Sequence, residues 1–171
     1  MSTVQVRAGR LDPVALVRAY VLVVGLGLLL EGGGLLLADS LGLSVGIPTS
    51  DVRQNLLHVV SGIALLGIWI TSRRRHATRV IWAALVFGAF YVALGILGLT
   101  IDRPFGLALG PGENVFHFTV GPLALLLGAW ALKATNDRAA SLPVPLAAPG
   151  RRRRPAPERK RAPRRGRSRR R

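Results

Sequence analysis

A chain of 171 residues that is half hydrophobic yet carries a formal charge of +16 contains two kinds of material, and they separate along it. Residues 151–171, RRRRPAPERKRAPRRGRSRRR, hold twelve Arg and one Lys against one Glu, so the remainder carries only +4 and most of the apolar content. A basic globular domain is thereby excluded, and the lack of any Cys rules out disulfides, thiolate metal sites and a cysteine nucleophile.

After a short N-terminal segment, residues 1–13, four apolar stretches follow at 14–37, 55–71, 79–101 and 114–134. Each is close to the ~20 residues a helix needs to cross ~30 Å of hydrocarbon. Soluble helices of that length show a polar face, and these mostly do not. The first carries Arg7 and Arg10 ahead of it but is too long for the apolar part of a signal peptide and is interrupted by Glu31. The connection before the second stretch, ADSLGLSVGIPTSDVRQ, is punctuated by Gly and Pro, and Thr49 or Ser50 is expected to cap the helix after it. Gly112 after Pro111 is expected to open the fourth helix. Residues 135–171 read as a Pro/Ala linker and an Arg-rich tail whose like charges favour disorder.

Charge orients the four spans. Arg7, Arg10, Arg18, Arg73, Arg74, Arg75, Arg79, Lys133 and Arg138 fall on one side, whereas the other has Arg53 and Arg103. The positive-inside rule then places both termini in the cytoplasm of a bacterial inner (plasma) membrane protein. Trp69, Trp82 and Trp130 all fall near the same side, where indoles favour the interface.

One motif occurs twice. QNLLHVVSG and ENVFHFTVG both contain Asn-x-x-His-x-x-x-Gly, as Asn55, His58, Gly62 and Asn114, His117, Gly121. With ~100° of rotation per residue the three positions lie on one helix face. A looser echo, shifted by 61, pairs Arg18 with Arg79, Gly27 with Gly88 and Gly34 with Gly95. The expectation is an all-α, four-transmembrane-helix bundle of two tandem helical hairpins related by a pseudo-twofold axis, with a disordered C-terminal tail. Gly27, Gly34, Gly62, Gly88, Gly95 and Gly121 are its expected helix-packing glycines. In this layout and this paired motif the chain resembles an actinobacterial-type family of small four-helix integral membrane proteins, domain-of-unknown-function family 4383. The resemblance covers residues 14–134 and implies the membrane fold, but no activity.

The polar candidates are Glu31, Asn55, His58, Asn114 and His117, gathered in the outer half of the bundle. They admit two readings. In the first, Asn and His hydrogen-bond neighbouring helices, and the protein is a non-enzymatic packing or assembly module. In the second, Glu31, His58 and His117 handle protons or ions, or the two His ligate a haem or divalent metal. Glu31 shares a face with Gly27 and Gly34 and is expected to point into the bundle. No nucleophile elbow, phosphate loop or acidic dyad is present, so neither an enzyme nor a resident cofactor is expected. Arg73, Arg74, Arg75, Arg151, Arg152, Arg153 and Arg154 suit anionic lipid headgroups. They would also hold polyanions, but no aromatic interleaves the tail arginines, so nucleic acid is not the expected partner. A homo-oligomer is compatible with so small a bundle.

Overall fold

The computed structural model describes residues 11–43, 51–72 and 76–141. The expected contacts Arg73, Arg74, Arg75 and Arg151 to Arg154, and the caps Thr49 and Ser50, lie outside those residues. Four helices account for most of what is described: α1 (Pro13–Ser40), α2 (Val52–Thr71), α3 (Ala77–Thr100) and α4 (Pro111–Ala140). All four are long and apolar enough to cross a membrane, which makes this a multi-pass membrane protein of all-α class. The helices alternate in direction, so the last turns of α1 and α3 and the first turns of α2 and α4 share one end of the bundle, the loop end. The first turn of α1, the last of α2, the first of α3 and the last of α4 share the other, the terminus end.

The boundaries follow from local chemistry. Asp12 opens α1, its carboxylate accepting from the Val14 amide at 3.3 Å, and Pro13 takes the first turn, where no amide is needed. The cap of α2 is Asp51, which accepts from the Arg53 amide at 2.9 Å. The α4 helix begins at Pro111, before Gly112, and runs six residues beyond the expected end at 134, through Asn136, Asp137 and Arg138. This polar extension is held at the terminus end, where Arg138 lies 3.7 Å from the Asp12 carboxylate. Within the apolar spans Thr71, Thr100, Thr119 and Thr135 return their hydroxyls to backbone carbonyls one turn back. That arrangement satisfies them without a partner from lipid.

α1 packs closely along α2 and α3 along α4, while contacts between the two hairpins are sparser and α2–α3 is the loosest of the neighbouring pairs. The hairpins close on glycine. A Cβ added to Gly62 would come to 2.8 Å of both the Gly25 carbonyl oxygen and the Leu29 amide nitrogen; one on Gly121 would come to 3.1 Å of the Gly88 carbonyl oxygen and 2.9 Å of the Val92 amide nitrogen. Backbone thus rests on backbone, the route by which membrane helices gain dispersion without a hydrophobic driving force. The odd-helix glycines correspond at a shift of 63, Gly25 to Gly88 and Gly32 to Gly95, rather than 61. Gly27 and Gly34, expected to pack, are exposed, and a Cβ on either would meet nothing within 4 Å.

The core divides along its length. Toward the terminus end it is apolar, with Val17, Val21, Val80, Ile81, Ala84, Ala124 and Ala131 all buried. Tyr20 joins α1 to α4 by donating its hydroxyl to the Val120 carbonyl at 2.6 Å. The Arg18 guanidinium donates to the Ser72 carbonyl and lies over the Trp69 ring, 5.7 Å from its centroid.

Candidate functional site

Toward the loop end the core is polar. His58 stands six residues inside α2 and His117 six residues inside α4, about 9 Å along each helix at 1.5 Å per residue. Both are buried, at 3% and 0% exposure. Each is placed by a glycine on the helix opposite. A Cβ on Gly32 would come to 2.9 Å of the His58 Cβ and 2.5 Å of the Asn55 carbonyl oxygen; one on Gly95 would come to 3.3 Å of the His117 Cβ. The glycines that matter to the motif are therefore one turn-pair away on α1 and α3, as well as within it.

Tyr91 of α3, fully buried, is flanked by both imidazoles. Its ring lies 6.4 Å from that of His58, nearly parallel to it, and 5.2 Å from that of His117, edge-on. Phe116 completes the surround at 5.6 Å from His58 and 6.1 Å from His117. Glu31 approaches from α1, its carboxylate 3.7 Å from His58 Nδ1. It does not point inward as expected: its side chain is 49% exposed, because Gly32, not Glu31, occupies the inner face. Glu113, in the first turn of α4, is near enough to act electrostatically on Glu31 and on both imidazoles.

The polar atoms of this cluster are buried yet largely unsatisfied. Among the described residues neither nitrogen of His58 or of His117 has a hydrogen-bond partner, nor do the Asn114 Oδ1 or the Gln54 Oε1, while the Tyr91 hydroxyl lies beside Ser61. The Asn114 Oδ1 is packed against Gly98. A neutral imidazole offers one donor and one acceptor, and leaving such groups dry costs about 1–3 kcal/mol each. The interhelical hydrogen bonds expected of the His pair are thus not made among the described residues; glycines do the packing. For a haem, a macrocycle-sized gap would have to lie between the two imidazoles, and Tyr91 and Phe116 are packed against both. Among the described residues no group of three or more His, Asp or Glu side chains converges as a metal site.

The sequence brought forward Glu31, Asn55, His58, Asn114 and His117, and the structure gathers the two His with Glu31. Tyr91 and Phe116 were not singled out for the site, although Tyr91 sits between two packing glycines of its helix, three residues after Gly88 and four before Gly95. That spacing carries the signal for its inward face. Comparison with known protein families, curated proteins and solved structures gives no match. The class defined by fold and site is therefore a multi-pass membrane protein with a buried His–Tyr–His cluster.

Proposed function

We propose that this protein is a proton-binding membrane module, non-enzymatic, in which Glu31, His58, Tyr91 and His117 take up and hold protons from the loop side. One observation carries the reading: four imidazole nitrogens are buried with no hydrogen-bond partner among the described residues, one of them 3.7 Å from a carboxylate that reaches the surface. Waters bridging Glu31, His58, the Tyr91 hydroxyl and His117 would satisfy these groups and link them. The cluster binds rather than conducts, because the terminus half of the core is closed by Val17, Val21, Ile81, Ala84 and Ala124. The chain is further read as two copies of one hairpin in a bacterial plasma membrane with cytoplasmic termini, and as a relative of the four-helix family with the paired Asn-x-x-His-x-x-x-Gly motif.

The test is the imidazole 15N chemical shift of His58 and His117 in bilayers, followed from neutral pH well into the acid range, because imidazoles buried from water give up their protons more readily than exposed ones. Both rings are expected to titrate, and Glu31→Gln is expected to move the His58 midpoint more than that of His117. Rings that keep one protonation state throughout would remove the proposal. The glycine-to-backbone seams favour a second reading, a packing module whose imidazoles are ordinary core groups. Under it His58→Leu with His117→Leu would raise stability and change nothing else.

A further inference from the structure

α2 and α3 are the loosest neighbouring helices, and a groove of about 620 Å³ opens between them. Most of its lining is apolar, including Leu65, Ile68, Val86 and Phe90, with Ser61 and Ala83 among the small residues. Arg79 and Trp82, within the first two turns of α3, line it toward the terminus end.

The seam on the other side of the bundle, between α1 and α4, is bridged by Tyr20, whose hydroxyl donates to the Val120 carbonyl. The shift that carries Gly25 to Gly88 carries Tyr20 to Ala83, and the shift that carries Gly62 to Gly121 carries Ser61 to Val120. The groove therefore stands where the other seam has its tyrosine. Alanine at 83 leaves that space open, and Ser61 lines it.

In a bilayer such a space is filled by an acyl chain or by another helix. Charge decides between them. Arg79 is exposed at the terminus end of the groove, where its guanidinium can hold a phosphate through paired N–H donors. Trp82, 54% exposed, places an indole at the same height, as indoles do near headgroups. A second copy of this chain would bring its own Arg79 and Lys133 to that level, like charge beside like. We infer that the α2–α3 groove is a binding site for one anionic glycerophospholipid of the leaflet at the terminus end. Its phosphate sits on Arg79 and an acyl chain runs along Leu65, Ile68, Val86 and Phe90. This site is separate from the His–Tyr–His cluster and does not depend on its role.

The experiment uses the full chain with Trp69 and Trp130 replaced by Phe, so that Trp82 alone fluoresces, in vesicles of phosphatidylcholine and phosphatidylglycerol. One lipid at a time carries brominated chains, which quench nearby indoles. A second protein retaining only Trp130, at a similar height on α4, reports the general enrichment caused by the basic tail. Phosphatidylglycerol should be preferred at Trp82 by about fivefold over the preference at Trp130, the equivalent of the ~1 kcal/mol of one basic charge near the lipid surface. Arg79→Gln should reduce the Trp82 preference to that of Trp130. Ala83→Tyr should protect Trp82 from both brominated lipids. Equal preference at the two tryptophans, or a preference that survives Arg79→Gln, would overturn the site. So would Trp82 shielded in proportion to protein concentration, which would make a second copy the occupant. Should Ala83→Tyr fail to fold, Arg79→Gln carries the test alone.

Discussion

The Asp51 carboxylate caps α2 and at the same time holds the loop that leads into α4. One oxygen accepts from the Arg53 amide and the other from the Ala108 amide, each at 2.9 Å. These bonds are made by the ionised form, and they hold the acid below the usual carboxylate range, the Ala108 amide being the largest cause and the Arg53 amide the next. The sign follows. The contribution is fully present above the ordinary carboxylate pKa of ~4 and is lost as pH falls through the lowered value. Asp51→Ala should therefore lower thermal stability in detergent by about 1 kcal/mol, the usual worth of a cap, at pH 7, and the deficit should shrink toward zero in strong acid. A deficit independent of pH would show that the ionised carboxylate is not the stabilising group. Nearby, the Arg53 guanidinium lies against Gly106, which has φ +75° and would force any Cβ into that contact. Gly106→Ala should displace the loop as well as strain it, read as faster amide exchange at Ala108.

At the scale of the helix, packing is a matter of which side a glycine faces. Gly121→Ala would set a Cβ 2.9 Å from the Val92 amide nitrogen and 2.8 Å from its Cγ2. Backbone cannot yield as a side chain can, so the expected loss is about 1–3 kcal/mol, measured by unfolding in mixed micelles. Gly27→Ala and Gly34→Ala meet open space and should gain up to ~1 kcal/mol of helix propensity. Destabilisation by either would show a contact the single chain does not contain. The same pair shows how far sequence can be read. Four spans and their approximate ends were legible, because length and hydropathy decide membrane insertion. The glycine register was not, since aligning Arg18 with Arg79 gives a shift of 61 where packing uses 63. Two residues are ~200° of helical rotation, enough to turn Gly25 and Gly32 inward and Gly27 and Gly34 outward. The cap of α2, expected at Thr49 or Ser50, is Asp51, for a milder reason: all three residue types cap well, and Asp51 also accepts from the Ala108 amide.

For the whole molecule, the depth of the two His could be read from their spacing within the helices, but their neighbours could not. Tyr91 reaches both only because the second hairpin docks against the first, and docking has no local signature. Glu31 shows the same limit: its half-exposed place depends on Gly32 fitting beneath it. Orientation can be decided directly, because the chain has no native Cys. With Gly42→Cys at the loop end and His76→Cys at the terminus end, an impermeant maleimide applied to intact cells should label the first and not the second. The reverse pattern would invert the charge-based topology.

The sparse contact between two tightly closed hairpins also bears on how the chain is made. Each pair of spans has the contacts to zip along its glycines before its counterpart exists, so the architecture permits insertion in two self-contained instalments. The His–Tyr–His cluster, drawn from both, is complete only once the second hairpin has docked on the first. Its formation can therefore serve as a readout that assembly is finished.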